Sequence, residues 1–219
     1  MITVHHLETS RSHRVLWMLE ELGLPYEVVR YARDKKTFLA PKALRDVHPL
    51  GKSPVITDDG QAYAESGAIL EYLVERHGGG RFAPAPGTPE FTRYRYFMHY
   101  AEGSLMTPLL MKFVCERVKS APLPFFIKPV ARRIADGVGQ QFTDPNLRQH
   151  LAFVDAELAR APWFAGDFSA ADVQMSYPIN GLLSRAADLG PIDRVREFMT
   201  RIRERPAYRR AVERGGEPM

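Results

Sequence analysis

A chain of 219 residues and 24.8 kDa exceeds the usual single-domain size of about 100 to 150 residues, so two modest domains are expected, each able to bury a core. Its 45% hydrophobic and 26% charged content is ordinary for globular proteins and argues against disorder, and a net charge of +4 suits a small anionic ligand as well as a polymer. One cysteine, Cys115, excludes an internal disulfide, a CxxC redox motif or a thiolate metal site, and a reducing cytoplasm is the expected compartment. MITVHHLETSR lacks the apolar core of a secretory signal, and no run approaches the roughly 18 apolar residues of a membrane span, so a soluble protein that inserts in no membrane is expected.

In chain order, ITVHHL and YEVVRYA read as strands on either side of a helix, SHRVLWMLEELG, whose inward face carries Val15, Leu16, Leu19 and Leu22. Gly23 stops that helix and Pro25 lies beyond, giving a βαβ unit with parallel strands. FLAPKALRDVHP has weak helical character. Then PVITD and QAYAE flank Asp59-Gly60, a hairpin signal, and SGAILEYLVERHG forms a helix with Ile69, Leu70 and Leu73 inward. Gly and Pro dominate GGGRFAPAPGTPE, which reads as a linker over residues 80–89 between domains at 1–79 and 90–219.

Everything after the linker reads as helical. A long aromatic-rich helix from about Phe91 to Val118 carries Pro108 as a kink, and a second runs from about Phe125 to Ala161 with a break near Pro145. GDFSAADV is a capping box, with Ser169 at the N-cap, Asp172 at N3 and Phe168 stapled to Val173. The helix it starts is expected to end near Gly190. Val195, Phe198, Met199 and Ile202 then line a last helix ending before Pro206.

Three stretches could carry chemistry. In LETSRSHRVLW, hydroxyl groups crowd a strand-to-helix turn, where they could cap the helix or contact a ligand. In HPLGKSPVI, Pro54 cannot donate to a sheet and belongs at a strand's first position or in a special turn. A cis Ser53-Pro54 bond there would turn backbone groups of Ser53 outward, where an extended peptide could pair with them; a tight turn explains the stretch equally well. In ESGAIL, a helix N-terminus with Ser66 suits a carboxylate and Glu65 suits an ammonium, together the head of an α-amino acid, although Ser66 as a plain cap also fits.

The order LETSRSHRVLW, GKSP, ESGAILEYL, a Pro/Gly linker and a helical half containing GDFSAAD resembles the glutathione transferase family over essentially the whole chain. SRSHRVLW and MHYAEGSLM are closest to a serine-type branch found in bacteria and fungi, since the 9–14 window holds neither Cys nor Tyr. The resemblance implies a glutathione transferase fold: an α/β thioredoxin-like N-terminal domain that binds glutathione as co-substrate, and an all-α C-terminal domain that shapes the second pocket. It further implies a homodimeric cytoplasmic enzyme of detoxification, acting on glutathione and a small hydrophobic electrophile. The residues it implies for glutathione are Ser53 beside Pro54 for the cysteinyl backbone, Glu65 and Ser66 for the γ-glutamyl head, and Lys52 near the glycyl carboxylate. Ser10, in the pattern S-x-x-x-R with Arg14, is implied as the catalytic donor to the thiolate, with Thr9, Arg11 and Ser12 around the substrates and Thr9 and Ser12 as competing hydroxyls. Tyr100, Ser104, Met106 and Phe113 are implied for the electrophile pocket. His48 stands where the family often has Asn, and Ser53 where a bulky aliphatic is common; neither alters a backbone contact.

The implied chemistry is physically adequate. A thiol with a pKa near 8.5 is only a few per cent ionised at neutral pH, and lowering it by two units needs about 2.7 kcal/mol of preferential anion binding. One charge-assisted hydrogen bond supplies roughly 1.5–3 kcal/mol and a helix N-terminus about 0.3–1. Two other uses of the fold remain open: a glutathione-dependent disulfide reductase or peroxidase, and a non-catalytic interaction module. His5 and His6 point to opposite faces of a strand and cannot share a metal, so none is expected. Eight arginines between Arg194 and Arg214 interleave with Asp193, Glu197, Glu204 and Glu213, which reads as a solvated helix face and not a nucleic-acid patch.

Overall fold

The computed structural model describes residues 1–37 and 39–217. Strand β1 (Ile2–Leu7) is followed by α1 (His13–Leu22) and by β2 (Tyr26–Tyr31), which pairs parallel to β1, as a βαβ unit requires. A short α2 (Ala43–Val47) covers part of FLAPKALRDVHP, whose first residue, Phe38, lies outside the described residues. Strands β3 (Val55–Asp58) and β4 (Gln61–Ala64) form the Asp59-Gly60 hairpin, and β3 runs antiparallel to β1, giving the sheet order β2-β1-β3-β4. Helix α3 (Ser66–His77) follows directly.

Helix α1 is buried nearly all round. His13, Arg14, Trp17 and Met18 are enclosed along with the expected apolar face, because α1 lies between β1, α3 and two helices of the C-terminal half. Burial pushes the His13 imidazole down to about 4 and keeps it neutral, with its ring edge-on to Tyr208. The unfolded chain binds a proton near pH 6.5 that the folded chain refuses, so stability present above that pH is lost as pH falls toward 4. We expect a loss of about 2 kcal/mol between pH 7 and pH 5, and a flatter pH profile for His13→Phe; urea unfolding across this range measures both.

The helical half begins with α4 (Pro89–Tyr100), continues through a π-helical turn (Ala101–Leu105) and resumes as α5 (Met106–Lys119). The expected interruption of this long helix thus lies at the π turn. Pro108 lies just beyond that turn, in the first residues of α5. The next helix is likewise divided, into α6 (Lys128–Val138), a π turn (Gly139–Thr143) and α7 (Asp144–Arg160), with Pro145 just inside the start of α7. Helix α8 (Ala170–Arg185) carries the expected capping box: the Ser169 N–H donates to Asp172 Oδ2 at 2.9 Å and the Ser169 hydroxyl accepts from the Ala171 N–H. It ends at Arg185, short of Gly190.

The helix lined by Val195, Phe198, Met199 and Ile202 is α9 (Asp193–Glu204), and it is not the last. Pro206 opens a further helix, α10 (Pro206–Gly215), because a proline at a helix's first position loses no bond it would otherwise make. The C-terminal arginines are also more than a solvated face. Arg205 chelates Glu21 at 2.6 and 2.9 Å while lying over the Phe168 ring, and Arg210 and Arg214 reach Glu20. These pairs clamp the helical half onto α1. At Gly215 an added Cβ would collide with Leu16 and crowd His6, so only glycine allows this close approach.

Candidate active site

The turn between β1 and α1 holds a chain of hydroxyl groups. His6 Nε2 lies 2.9 Å from the Gly215 carbonyl, which can only accept, so Nε2 carries the proton and Nδ1 is an acceptor. The Ser12 hydroxyl, 2.8 Å from Nδ1, therefore donates to it. Ser12 is fully buried, places no side-chain bond on the helix it precedes and lines neither of the two clefts that meet at this turn. Ser10 Oγ accepts from the Ser12 N–H at 3.2 Å and lies 2.8 Å from Ser12 Oγ and 3.3 Å from Ser53 Oγ. Ser53 in turn donates to the His5 carbonyl. The protons of Ser12 and Ser53 thus serve strong protein acceptors, whereas that of Ser10 is shared between two hydroxyl oxygens. Thr9 is exposed, at φ 47°.

Two clefts meet at this turn. One, of about 310 Å³, gathers Arg11, His48, Lys52, Ser53, Pro54, Glu65, Ser66 and Glu102. The Ser53-Pro54 peptide is cis, and Glu65 takes φ 72° immediately before α3, a left-handed conformation unusual for a residue with a side chain. The other, of about 240 Å³, lies between α5 and α8; Met106, Leu109 and Phe113 face Tyr177 and Gly181, with Thr9, Arg11, Arg33 and Arg185 at its edges. Arg11 lines both. Ser10, 6% exposed, lines neither wall and lies beneath the seam, between Thr9 of one cleft and Ser53 of the other.

An ion cluster underlies the seam. Arg11 Nε donates to both Glu102 oxygens, at 2.9 and 3.1 Å. Arg14, 1% exposed, pairs with Glu102 and donates to the Gln174 carbonyl at 2.9 Å, tying α1 to α8. Both guanidinium groups lie 5.1 Å from the Tyr177 ring. Burial alone would raise the Glu102 carboxyl, but Arg14 and Arg11 hold it below its ordinary value. Glu102 belongs to the π turn between α4 and α5.

Two residues expected in the second pocket are not there. Tyr100 is buried among Phe97 and Phe153, its hydroxyl 2.6 Å from His150 Nδ1, because this position of α4 faces α7. Ser104 is exposed on the π turn and lines neither cleft, the extra residue of that turn having rotated the face. Met106 and Phe113 do line the apolar cleft. Leu109 between them could have been found from helical spacing, as could Tyr177, Gly181 and Ser184 on α8. Glu102, Gln174, Arg33 and Arg185 carried no signal short of the tertiary structure.

Residues 10–76 match the family described as glutathione S-transferase, N-terminal domain. Glutathione S-transferase 3 of Schizosaccharomyces pombe is 36% identical over 215 residues, covering 98% of this chain and 88% of that protein. The chain belongs to the glutathione S-transferase family. The transferase is also 34% identical over 193 residues to glutathione S-transferase 1 of Saccharomyces cerevisiae, covering 84% of this chain and 82% of that one. A glutathione S-transferase structure from Actinobacillus pleuropneumoniae superposes with a TM-score of 0.81 at 31% identity, covering 100% of this chain and 94% of the other. The α/β half therefore has the thioredoxin-like fold, the remainder is mostly helical, and glutathione is the co-substrate of this transferase. No helix among the described residues is long and apolar enough to cross a membrane.

Proposed function

We propose that this transferase activates glutathione through the Ser10 hydroxyl and conjugates it to small hydrophobic electrophiles. One observation carries the reading: at the seam of a polar and an apolar cleft, Ser10 holds the hydroxyl proton most easily redirected to an anion. Glutathione occupies the polar cleft, with its ammonium on Glu65, its γ-glutamyl carboxylate at Ser66 and the α3 N-terminus, its cysteinyl backbone along Ser53 and its glycyl carboxylate toward Lys52. The thiol loses its proton to solvent and the thiolate accepts the Ser10 hydrogen bond. Its sulfur then attacks the electrophilic carbon, forming the C–S bond as the leaving group departs with its electron pair. Arg11, Thr9, Met106 and Phe113 border the electrophile.

Comparing aryl-halide conjugation with turnover of hydroxyethyl disulfide tests the reaction type; disulfide turnover exceeding conjugation would replace this reading with a glutathione-dependent reductase. Glu65→Gln is expected to raise the KM for glutathione about fivefold with kcat little changed, since a charge-assisted bond made equally in ground and transition states is lost. Steady-state kinetics with glutathione as the varied substrate measures this. Homodimerisation and a cytoplasmic role in detoxification complete the proposal. The exposed Val114, Val118, Phe125, Phe126, Val130 and Ile134 around α5 and α6 support a dimer, and light scattering after gel filtration decides it.

A further inference from the structure

Gln174, in the second turn of α8, is 2% exposed where α8 packs against α1 and α3. Its side-chain oxygen accepts from Arg14 Nη1 at 2.5 Å, and its backbone carbonyl accepts from the same nitrogen at 2.9 Å. A guanidinium has donors only, so the oxygen of the amide faces Arg14 and its nitrogen is turned the other way. That nitrogen stands over Gly67, 3.4 Å from where a Cβ on this residue would lie, and donates to no acceptor among the described residues. A donor fixed in one orientation by a buried cation and left without an acceptor is an exception in a protein interior. Gly67 is the second residue of α3, and Ser66 before it lines the polar cleft with Glu65 and Glu102. The first N–H groups of α3 have no acceptor within the helix, and an anion placed there meets them together with the Gln174 amide. A carboxylate suits both sides, since it offers two oxygens and about four acceptor sites.

We infer that Gln174 is a binding residue for glutathione: its amide donates to the α-carboxylate of the γ-glutamyl group, closing from the helical half a site that α3 opens from the α/β half. This rests on the placement of glutathione proposed above and adds a donor to it. Because Arg14 holds the amide oxygen, Gln174 cannot turn an acceptor toward the ligand. The position therefore selects a carboxylate and disfavours a ligand that lacks one there. The contact is made equally before and during the reaction, so it acts on KM and not on kcat.

The test crosses variants of Gln174 with thiols that lack one group of the γ-glutamyl head. 4-Aminobutyryl-cysteinylglycine lacks the α-carboxylate, and glutaryl-cysteinylglycine keeps it but lacks the ammonium. Gln174→Glu still offers Arg14 an oxygen, while it replaces the donor by a charge that repels the ligand's carboxylate. Its KM for glutathione should rise about thirtyfold or more with kcat within about twofold. The glutaryl thiol should suffer about the same rise, and the aminobutyryl thiol a rise of no more than about twofold. Gln174→Met removes the donor without adding charge and should give about a fivefold rise in the same pattern; it carries the comparison if Gln174→Glu does not fold. Calorimetric titration of each thiol repeats these comparisons without turnover, so they stand apart from the role of Ser10 and from the electrophile. An equal penalty for glutathione and the aminobutyryl thiol, or no penalty in either variant, overturns the inference. If the wild type prefers glutathione and Ser66→Ala reduces that preference, but the Gln174 variants do not, the placement at α3 stands and Gln174 falls. If the wild type binds glutathione and the aminobutyryl thiol alike, the placement and the inference fall together.

Discussion

Ser10→Ala should raise the pKa of the bound glutathione thiol by about 1–2 units, the equivalent of one charge-assisted hydrogen bond of roughly 1.5–3 kcal/mol. Thiolate absorbance, titrated from pH 5 to 10 with glutathione bound, reads the shift directly. The rate consequence is smaller than the ionisation change. Below both pKa values the thiolate fraction falls about tenfold per unit, but a more basic thiolate is intrinsically about threefold more nucleophilic per unit. The net loss in kcat/KM is therefore about three- to tenfold under acidic conditions, and it disappears above the shifted pKa. Thr9→Val leaves the titration where it was, because the hydroxyl that contacts Ser53 is that of Ser10, whereas Thr9 is an exposed residue of the turn. An unchanged thiol pKa in Ser10→Ala would remove Ser10 from its role.

Glu102→Leu should destabilise the protein by about 3 kcal/mol, lowering the midpoint of thermal unfolding by about 6–12 °C. The cause is Arg14 more than Glu102 itself. Arg14 is 1% exposed whereas the Glu102 side chain is 32% exposed, so deleting the acid strands a guanidinium in a site it cannot leave. Adding Arg14→Met to Glu102→Leu should therefore cost nothing further, or recover stability, since the stranded charge goes with it. A double-mutant cycle by calorimetry checks this coupling, and additive losses would show that the pair acts independently. Because Glu102 also holds Arg11 at both clefts, the single variant should lose catalytic efficiency along with stability.

Much of the α/β half is legible because its signals are local. Period-two and helical spacings mark β1, α1 and β2, and Asp59-Gly60 makes its hairpin, each within a few residues; the Ser169–Asp172 capping box of α8 is an equally local signal in the helical half. The helical half is legible as helix but not as facing. An aromatic-rich segment such as PEFTRYRYFMHY offers several candidate faces, and the π turn at 101–105 resets the register before α5, which is why Met106 and Phe113 reach the cleft while Tyr100 and Ser104 do not. Pro206 read as an end and is a beginning, since proline suits both sides of a helix boundary.

The hydroxyl cluster shows the same division. The sequence by itself determines that Thr9, Ser10 and Ser12 crowd one strand-to-helix turn and that Ser53 precedes a proline. Only the tertiary structure brings His6 of β1 against Gly215 of α10, and that one contact decides the direction of every proton downstream: Nε2 donates, Nδ1 accepts, Ser12 is committed, and Ser10 is left with the proton it can redirect. The physical reason is separation along the chain. Propensity and periodicity act over a few residues, whereas an acceptor 209 positions away, like the shared carboxylate of Glu102 88 positions from Arg14, is in place only once both halves have packed on α1.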